Sequence, residues 1–303
     1  MFYVAFLEVA IDKIIKILSV SVFLAATIGI YDIVAINYSF PTFSYDASPI
    51  QITSGFQHFG TAADYIQIML SILIPFQISE YYDGKKRNVF DLTSLFLGLI
   101  FLIGTGRVSV IISFLFSLVL LFIVNIQLVK IKKILMYVGF SAVSLFLFFA
   151  LIPSFFNNLI YRINSRILER QAHSLEADFF VQNGKASLQL FAQNPIHGVG
   201  FGIGHFKLDE FDFSIHGTFF KLLAETGMLG FLGYIVFIIA IFKFVYSNCN
   251  NRKSFFYQML PMLFGIFISS IYNTHFLRIE FWVLLATILV FVNKTKSTRN
   301  IYK

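Results

Sequence analysis

The feature that most constrains this chain is a series of eight apolar stretches, at roughly 17–37, 63–80, 89–104, 108–128, 134–152, 226–246, 256–273 and 279–293. A helix needs about 20 mostly apolar residues to cross a bilayer. A soluble domain has nowhere to bury eight such runs. Charged residues make up 13% of the chain and forty positions are Phe, whereas a soluble domain carries about 25% charged residues. The same numbers exclude disorder, and the lone Cys249 excludes a disulfide-stapled secreted fold. The expected fold is an all-α polytopic membrane protein of about eight transmembrane helices, with one large extracytoplasmic loop before the sixth. The expected divisions are transmembrane helices 1–5 over 1–152, the large loop over 153–225, helices 6–8 over 226–293 and a cytoplasmic tail over 294–303. The first residues lack the basic start of a cleavable signal peptide, and Glu8 and Asp12 follow.

Charge assigns the sides. Lys13 and Lys16, Lys85-Lys86-Arg87, the lysines at 130, 132 and 133, Arg252-Lys253, and Lys294, Lys296 and Arg299 all fall on one side of an eight-span chain. With Lys243 and Lys303 that side holds 15 of the 23 basic residues, which the positive-inside rule makes cytoplasmic. The net charge of +7 is thereby a membrane signature, and no nucleic-acid partner is expected. Twelve of fifteen lysines lie inside, but Arg107, Arg162, Arg166, Arg170 and Arg278, five of the eight arginines, lie outside. All six histidines, at 58, 173, 197, 205, 216 and 275, are also outside. The arginine bias runs against the positive-inside rule, and a guanidinium fork suits bidentate binding of phosphate or carboxylate. The functional face is expected to be the outer one.

Four segments of that face stand out. Gly104-Thr105-Gly106-Arg107 turns tightly between two spans and leaves Arg107 at the outer mouth of the fourth. A snorkelling interfacial arginine is the plain alternative. Arg162, Arg166 and Arg170 recur every four residues and form one stripe on a helix, either a basic rail for a polyanionic headgroup or the polar side of a helix lying on the membrane. Asn194-Pro195-Ile196-His197-Gly198-Val199-Gly200-Phe201-Gly202-Ile203-Gly204-His205 imitates a phosphate-cradling loop but follows a proline and lies outside the cell, so a nucleotide site is rejected. It reads as a turn that lets backbone approach a substrate or pack closely. His216 opens an amphipathic helix with Glu225 near the bilayer surface, where ionisable groups are costly unless paired or used. A neutral imidazole is a ready general base, although a histidine at a helix start is commonly structural. There is no His-x-x-x-His or Glu-x-x-His pair and no second cysteine, so no metal or other cofactor is expected.

The last two segments resemble the O-antigen polymerase and O-antigen ligase superfamily of bacterial membrane glycosyltransferases. The resemblance rests on NPIHGVGFGIGHF at 194–206 and HGTFFKLLAETGMLG at 216–230, with GTGR at 104–107 as a looser match, and covers roughly residues 90–290. The family pattern is a histidine, usually an Asn, Ser or Gln, nine residues, a Gly, two residues, and a small residue or Tyr. His216, Gly227 and Gly230 fit it, and Gly217 departs from it. Family members usually have ten or more spans, so eight implies a chain that starts late or is shortened at its N-terminus.

The resemblance implies chemistry on the outer face of the bacterial plasma membrane, with undecaprenyl-diphosphate-linked glycans as donor and acceptor and no metal or nucleotide sugar. It implies that Arg107, Arg162, Arg166 and Arg170 bind the diphosphate and stabilise it as leaving group, that His216 is the catalytic base, and that Glu225 orients it or the acceptor. Asn194, Gly198, Gly200, His205 and Arg278 complete the expected substrate-binding set. The first expectation for function is polymerisation of lipid-linked repeat units into O-antigen, capsular or exopolysaccharide chains by inverting, metal-independent glycosyl transfer. The second is a ligase that moves finished glycan to another acceptor, and a third, of another class, is a flippase or exporter of lipid-linked glycan. Expected partners are the lipid-linked donor and acceptor, the bilayer, and a chain-length regulator and flippase of the same pathway. The absence of an internal repeat and the gathering of polar groups at the outer rim favour an enzyme over a transporter.

Overall fold

The computed structural model of the chain describes residues 11–37, 40–43, 59–84, 88–105, 107–125, 175–208, 211–249, 254–271, 273 and 279–301. Among them are eight helices: α1 (Ile11–Asn37), α2 (Phe59–Tyr82), α3 (Val89–Gly104), α4 (Val108–Asn125), α5 (Leu175–Gln193), α6 (Thr218–Ser247), α7 (Phe255–Ser269) and α8 (Ile279–Ile301). A single antiparallel hairpin, β1 (His205–Leu208) and β2 (Phe211–Ser214), joins α5 to α6. Lys13–Asp32, Thr61–Tyr82 and Thr218–Ser247 are long and apolar enough to cross a membrane, and shorter apolar helices accompany them. The chain is thus a helical polytopic membrane protein. Seven of the eight apolar stretches read from sequence fall on helices; the other, 134–152, lies outside the described residues.

The described residues belong to two compact units. The first is drawn from Met1–Ile160, Val245–Ile266 and Ile279–Lys303, the second from Tyr161–Phe244 and Phe267–Arg278. In the first, α1 and α2 both pack on α3, and α8 packs on α2. The contact is close because α3 offers Gly98, where a Cβ would come within 2.9 Å of Val22 and 3.0 Å of Leu70. Without a hydrophobic effect between helices in lipid, small residues and interhelical hydrogen bonds do the joining. Gln67 of α2 donates to the Ser113 hydroxyl of α4 at 3.1 Å. The amides of Asn125 on α4 and Gln258 on α7 donate to each other, at 2.5 and 2.9 Å. Rings of α8 complete the packing, with Phe291 stacked on Phe255 at 4.2 Å. At the other end of α1, the buried Asp32 carboxylate accepts the Phe43 N–H at 2.7 Å.

In the second unit, Ala186 of α5, Ile215 and Ala224 of α6 form a small core, with Leu190 and Phe220 against it. The hairpin pairs His205 with Ser214 and Leu208 with Phe211. Its alternation of apolar and polar residues, Phe206 and Leu208 with Lys207, then Phe211 and Phe213 with Asp212, is the period-two pattern of a strand. α6 is two helices. Gly227 sits at φ 63°, ψ −159°, far from helical values. Phe219 lies before the break, and its ring is 6.1 Å from Phe231 and 5.7 Å from Tyr234 beyond it. In a straight helix, residues 219 and 231 would be about 18 Å apart along the axis. The short first arm therefore folds back on the second. The second arm, 228–247, is about 30 Å long at 1.5 Å per residue, the thickness of the hydrocarbon core. Beyond it, burial pushes the Cys249 thiol up to about 11, leaving it a poor nucleophile at neutral pH.

Candidate functional site

His216 is the last residue but one before α6, and its side chain is exposed. Its backbone is held. The Asn183 side chain, 1% exposed on α5, accepts the His216 N–H at 2.8 Å and donates to the His216 carbonyl at 3.0 Å. One turn further along α5, the Ser187 hydroxyl donates to the Phe220 carbonyl at 2.8 Å. From the other direction, the Thr218 N–H donates to the Ser270 carbonyl at 2.8 Å, and the Thr218 hydroxyl donates to the Asn273 carbonyl at 2.7 Å. The first N–H groups of a helix have no partner of their own; here the turn after α7 takes one. Between the two residues, a Cβ on Gly217 would collide with the Ile271 carbonyl. Only glycine fits this position without a shift of the neighbouring backbone. The result is an exposed side chain on a backbone held by α5 and by the turn after α7.

The break in α6 is completed by the glycine-rich loop. Interrupting a helix orphans carbonyls on one side and N–H groups on the other, each costing about 1–3 kcal/mol if buried unpaired. Val199 and Gly200 donate their N–H groups to the Ala224 and Glu225 carbonyls, both at 2.9 Å. The Met228 and Leu229 N–H groups donate to the Pro195 and Ile196 carbonyls, at 2.8 and 3.3 Å. The loop is a splint across the break. Two glycines make that approach feasible: a Cβ on Gly198 would run into the Glu225 backbone, and one on Gly227 would lie 2.6 Å from the Ile196 carbonyl oxygen. Both have positive φ as well, 68° and 63°.

Glu225 sits at the end of the first arm, about 10 Å along the helix from Thr218. It is 2% exposed, and neither carboxylate oxygen has a hydrogen-bond partner. Lys221, one turn back, is its ion-pair partner at 3.6 Å. Gly204 covers it so closely that a Cβ there would be 3.2 Å from the carboxylate and 3.4 Å from Ile215. Taking a carboxylate out of water costs several kcal/mol unless its partners are well placed.

The other residues singled out from sequence divide three ways. Asn194, Gly198, Gly200 and His205 are in the second unit with His216 and Glu225. The Asn194 carbonyl accepts the Gly198 N–H at 2.8 Å, and His205 is exposed at the start of β1. The N–H groups of Gly198 and Gly200 are thus bonded to the Asn194 and Glu225 carbonyls. Arg107 belongs to the first unit, half-buried in the turn before α4, where its carbonyl accepts the Val110 and Ile111 N–H groups at 3.1 Å. Arg162, Arg166, Arg170 and Arg278 lie outside the described residues. Sequence reasoning missed Asn183, since an asparagine within an amphipathic helix carries no signal of a partner 33 residues on. It also missed the hairpin, whose alternation was there to be found.

No curated protein matches the chain. Residues 93–235, from α3 to beyond the break in α6, match the family model described as O-antigen ligase. Over that stretch the chain is similar to the O-antigen ligase family, in keeping with the resemblance carried by residues 194–206 and 216–230.

Proposed function

We propose that this protein is a lipid-linked glycan polymerase of the bacterial plasma membrane, working on its outer face. The observation that carries the reading is the exposed His216 imidazole on a backbone fixed by Asn183 and Thr218. In the reaction, a hydroxyl of the acceptor repeat unit attacks the anomeric carbon of the donor glycan. The C–O bond to undecaprenyl diphosphate breaks, and the His216 imidazole takes the hydroxyl proton. One displacement without a covalent intermediate inverts the anomeric centre. Positioned general-base catalysis contributes about 10²–10⁴-fold. Arg107, Arg162, Arg166 and Arg170 would bind and stabilise the departing diphosphate, and Arg278 would contribute to substrate binding. Asn194 and His205 would line the glycan path, while Gly198 and Gly200 hold the loop to α6. Glu225 with Lys221 would set the first arm of α6 and so the height of His216.

The description of the matched family favours a second reading, transfer of finished polymer from the lipid carrier to another acceptor. Deleting the gene and running surface and lipid-linked glycans on a gel separates the two. Single repeat units without long chains are the polymerase result. Long chains held on the carrier are the ligase result. Unchanged glycans would contradict both.

A further inference from the structure

The first unit carries a groove that the proposed reaction does not use. It has a volume of about 790 Å³ and runs along α1 from Lys13 and Lys16, past Ile17, Val20 and Leu24, to Ile28, with Ser21 and Tyr65 in its wall. Ile17 and Leu24 are 59% and 54% exposed, and both lysines are exposed. From Lys13 to Ile28 is about 22 Å along the helix, which is the depth of one leaflet's hydrocarbon, about 15 Å, plus its headgroup layer. The Ser21 hydroxyl and the Tyr65 hydroxyl are hydrogen-bonded to each other, joining α1 to α2. They lie about 8 Å inward of Lys16, the level at which ester groups follow a phosphate.

We propose that this groove binds one anionic phospholipid from the surrounding bilayer. The phosphate sits between Lys13 and Lys16, the esters at the Ser21–Tyr65 pair, and one acyl chain along Val20, Leu24 and Ile28. Two features favour a lipid over other occupants. The charge is confined to one end and matches an anionic headgroup, and apart from the Ser21–Tyr65 pair the rest of the groove is apolar for one leaflet's depth. A zwitterionic headgroup carries its own cation beside the phosphate, which offsets the attraction of both ammonium groups, so the site selects by headgroup.

The test uses the full chain, delipidated in an uncharged detergent and offered equal amounts of dioleoyl phosphatidylglycerol and dioleoyl phosphatidylcholine, with retained lipid read by native mass spectrometry. The wild type is expected to keep one phosphatidylglycerol per chain, with roughly tenfold or greater preference over phosphatidylcholine. Lys13→Gln with Lys16→Gln, two exposed positions, should remove the preference without altering thermal stability. Leu24→Trp, which fills the groove, should lose both lipids. Equal retention of the two lipids by the wild type, or an undiminished preference in the lysine variant, would overturn the proposal. So would a wild-type dimer that Leu24→Trp dissociates and added phosphatidylglycerol does not, since the occupant would then be a second copy of the chain.

Discussion

α2 and α6 are both long apolar helices with a helix-disrupting residue inside, and only α6 breaks. The milder disruptor breaks its helix. Proline in a helix interior costs about 3 kcal/mol, because it lacks an N–H and crowds the carbonyl four residues back, whereas glycine costs about 1. Yet α2 runs through Pro75 from Phe59 to Tyr82. Its flanks are enclosed by α1, α3, α4 and α8, and most of its residues are buried. The break at Gly227 exists because residues 195–200 supply partners for four orphaned backbone groups. The difference teaches that the interruption is built from outside the helix, by a loop that has to be there before the break is tolerable. It also explains why the loop and the His216 segment occur together: one stabilises the other's geometry.

The largest expected effect follows from removing that splint. Gly198→Ala and Gly227→Ala each drive a methyl into backbone at a positive φ, so each should cost on the order of 2–4 kcal/mol and abolish polymer formation. Thermal unfolding of the detergent-solubilised protein, paired with a glycan gel, reads both. A Gly227→Ala protein that melts like wild type would mean that α6 can run straight, and the comparison with α2 would collapse.

Asn183→Ala should come next. Removing both hydrogen bonds to the His216 peptide leaves a part-buried N–H and carbonyl without that partner, at roughly 1 kcal/mol or more. Polymer yield should fall about tenfold to a hundredfold, more than the stability loss alone explains when both are measured well below the melting temperature. An activity that merely tracks the folded fraction would show Asn183 to be a core residue only. Pro75→Ala should do least, changing the melting temperature little and the glycan profile not at all, because α2 already accommodates the ring. A strong loss of polymer there would mean that α2 depends on the proline ring, and the contrast with α6 would fail.

Much of the fold was legible because lipid imposes length: apolar runs near 20 residues located α1 to α4 and α6 to α8, and Val89–Gly104 came out to the residue. His216 and Glu225 stood out because charge at a membrane rim is costly. The arrangement joining them was not legible. Asn183 holds His216 across 33 residues and Val199 pairs with Ala224 across 25, and neither contact leaves a periodic trace in the chain. Gly227 looked like one more small residue in a spacing pattern, since a glycine's φ is set by its tertiary partners. The loop holding Gly198 and Gly200 was read as letting backbone approach a substrate or pack closely, and in the structure its backbone is bonded to α6.

The most direct test of the central claim is His216→Ala returned to a strain lacking the gene, with polymer quantified against wild type at matched protein level and melting temperature. The imidazole is exposed while its peptide is held by Asn183, so the substitution should leave stability unchanged and cut polymer by about 10²–10⁴-fold. Polymer at wild-type yield from a folded His216→Ala protein would contradict the assignment of His216 as the base.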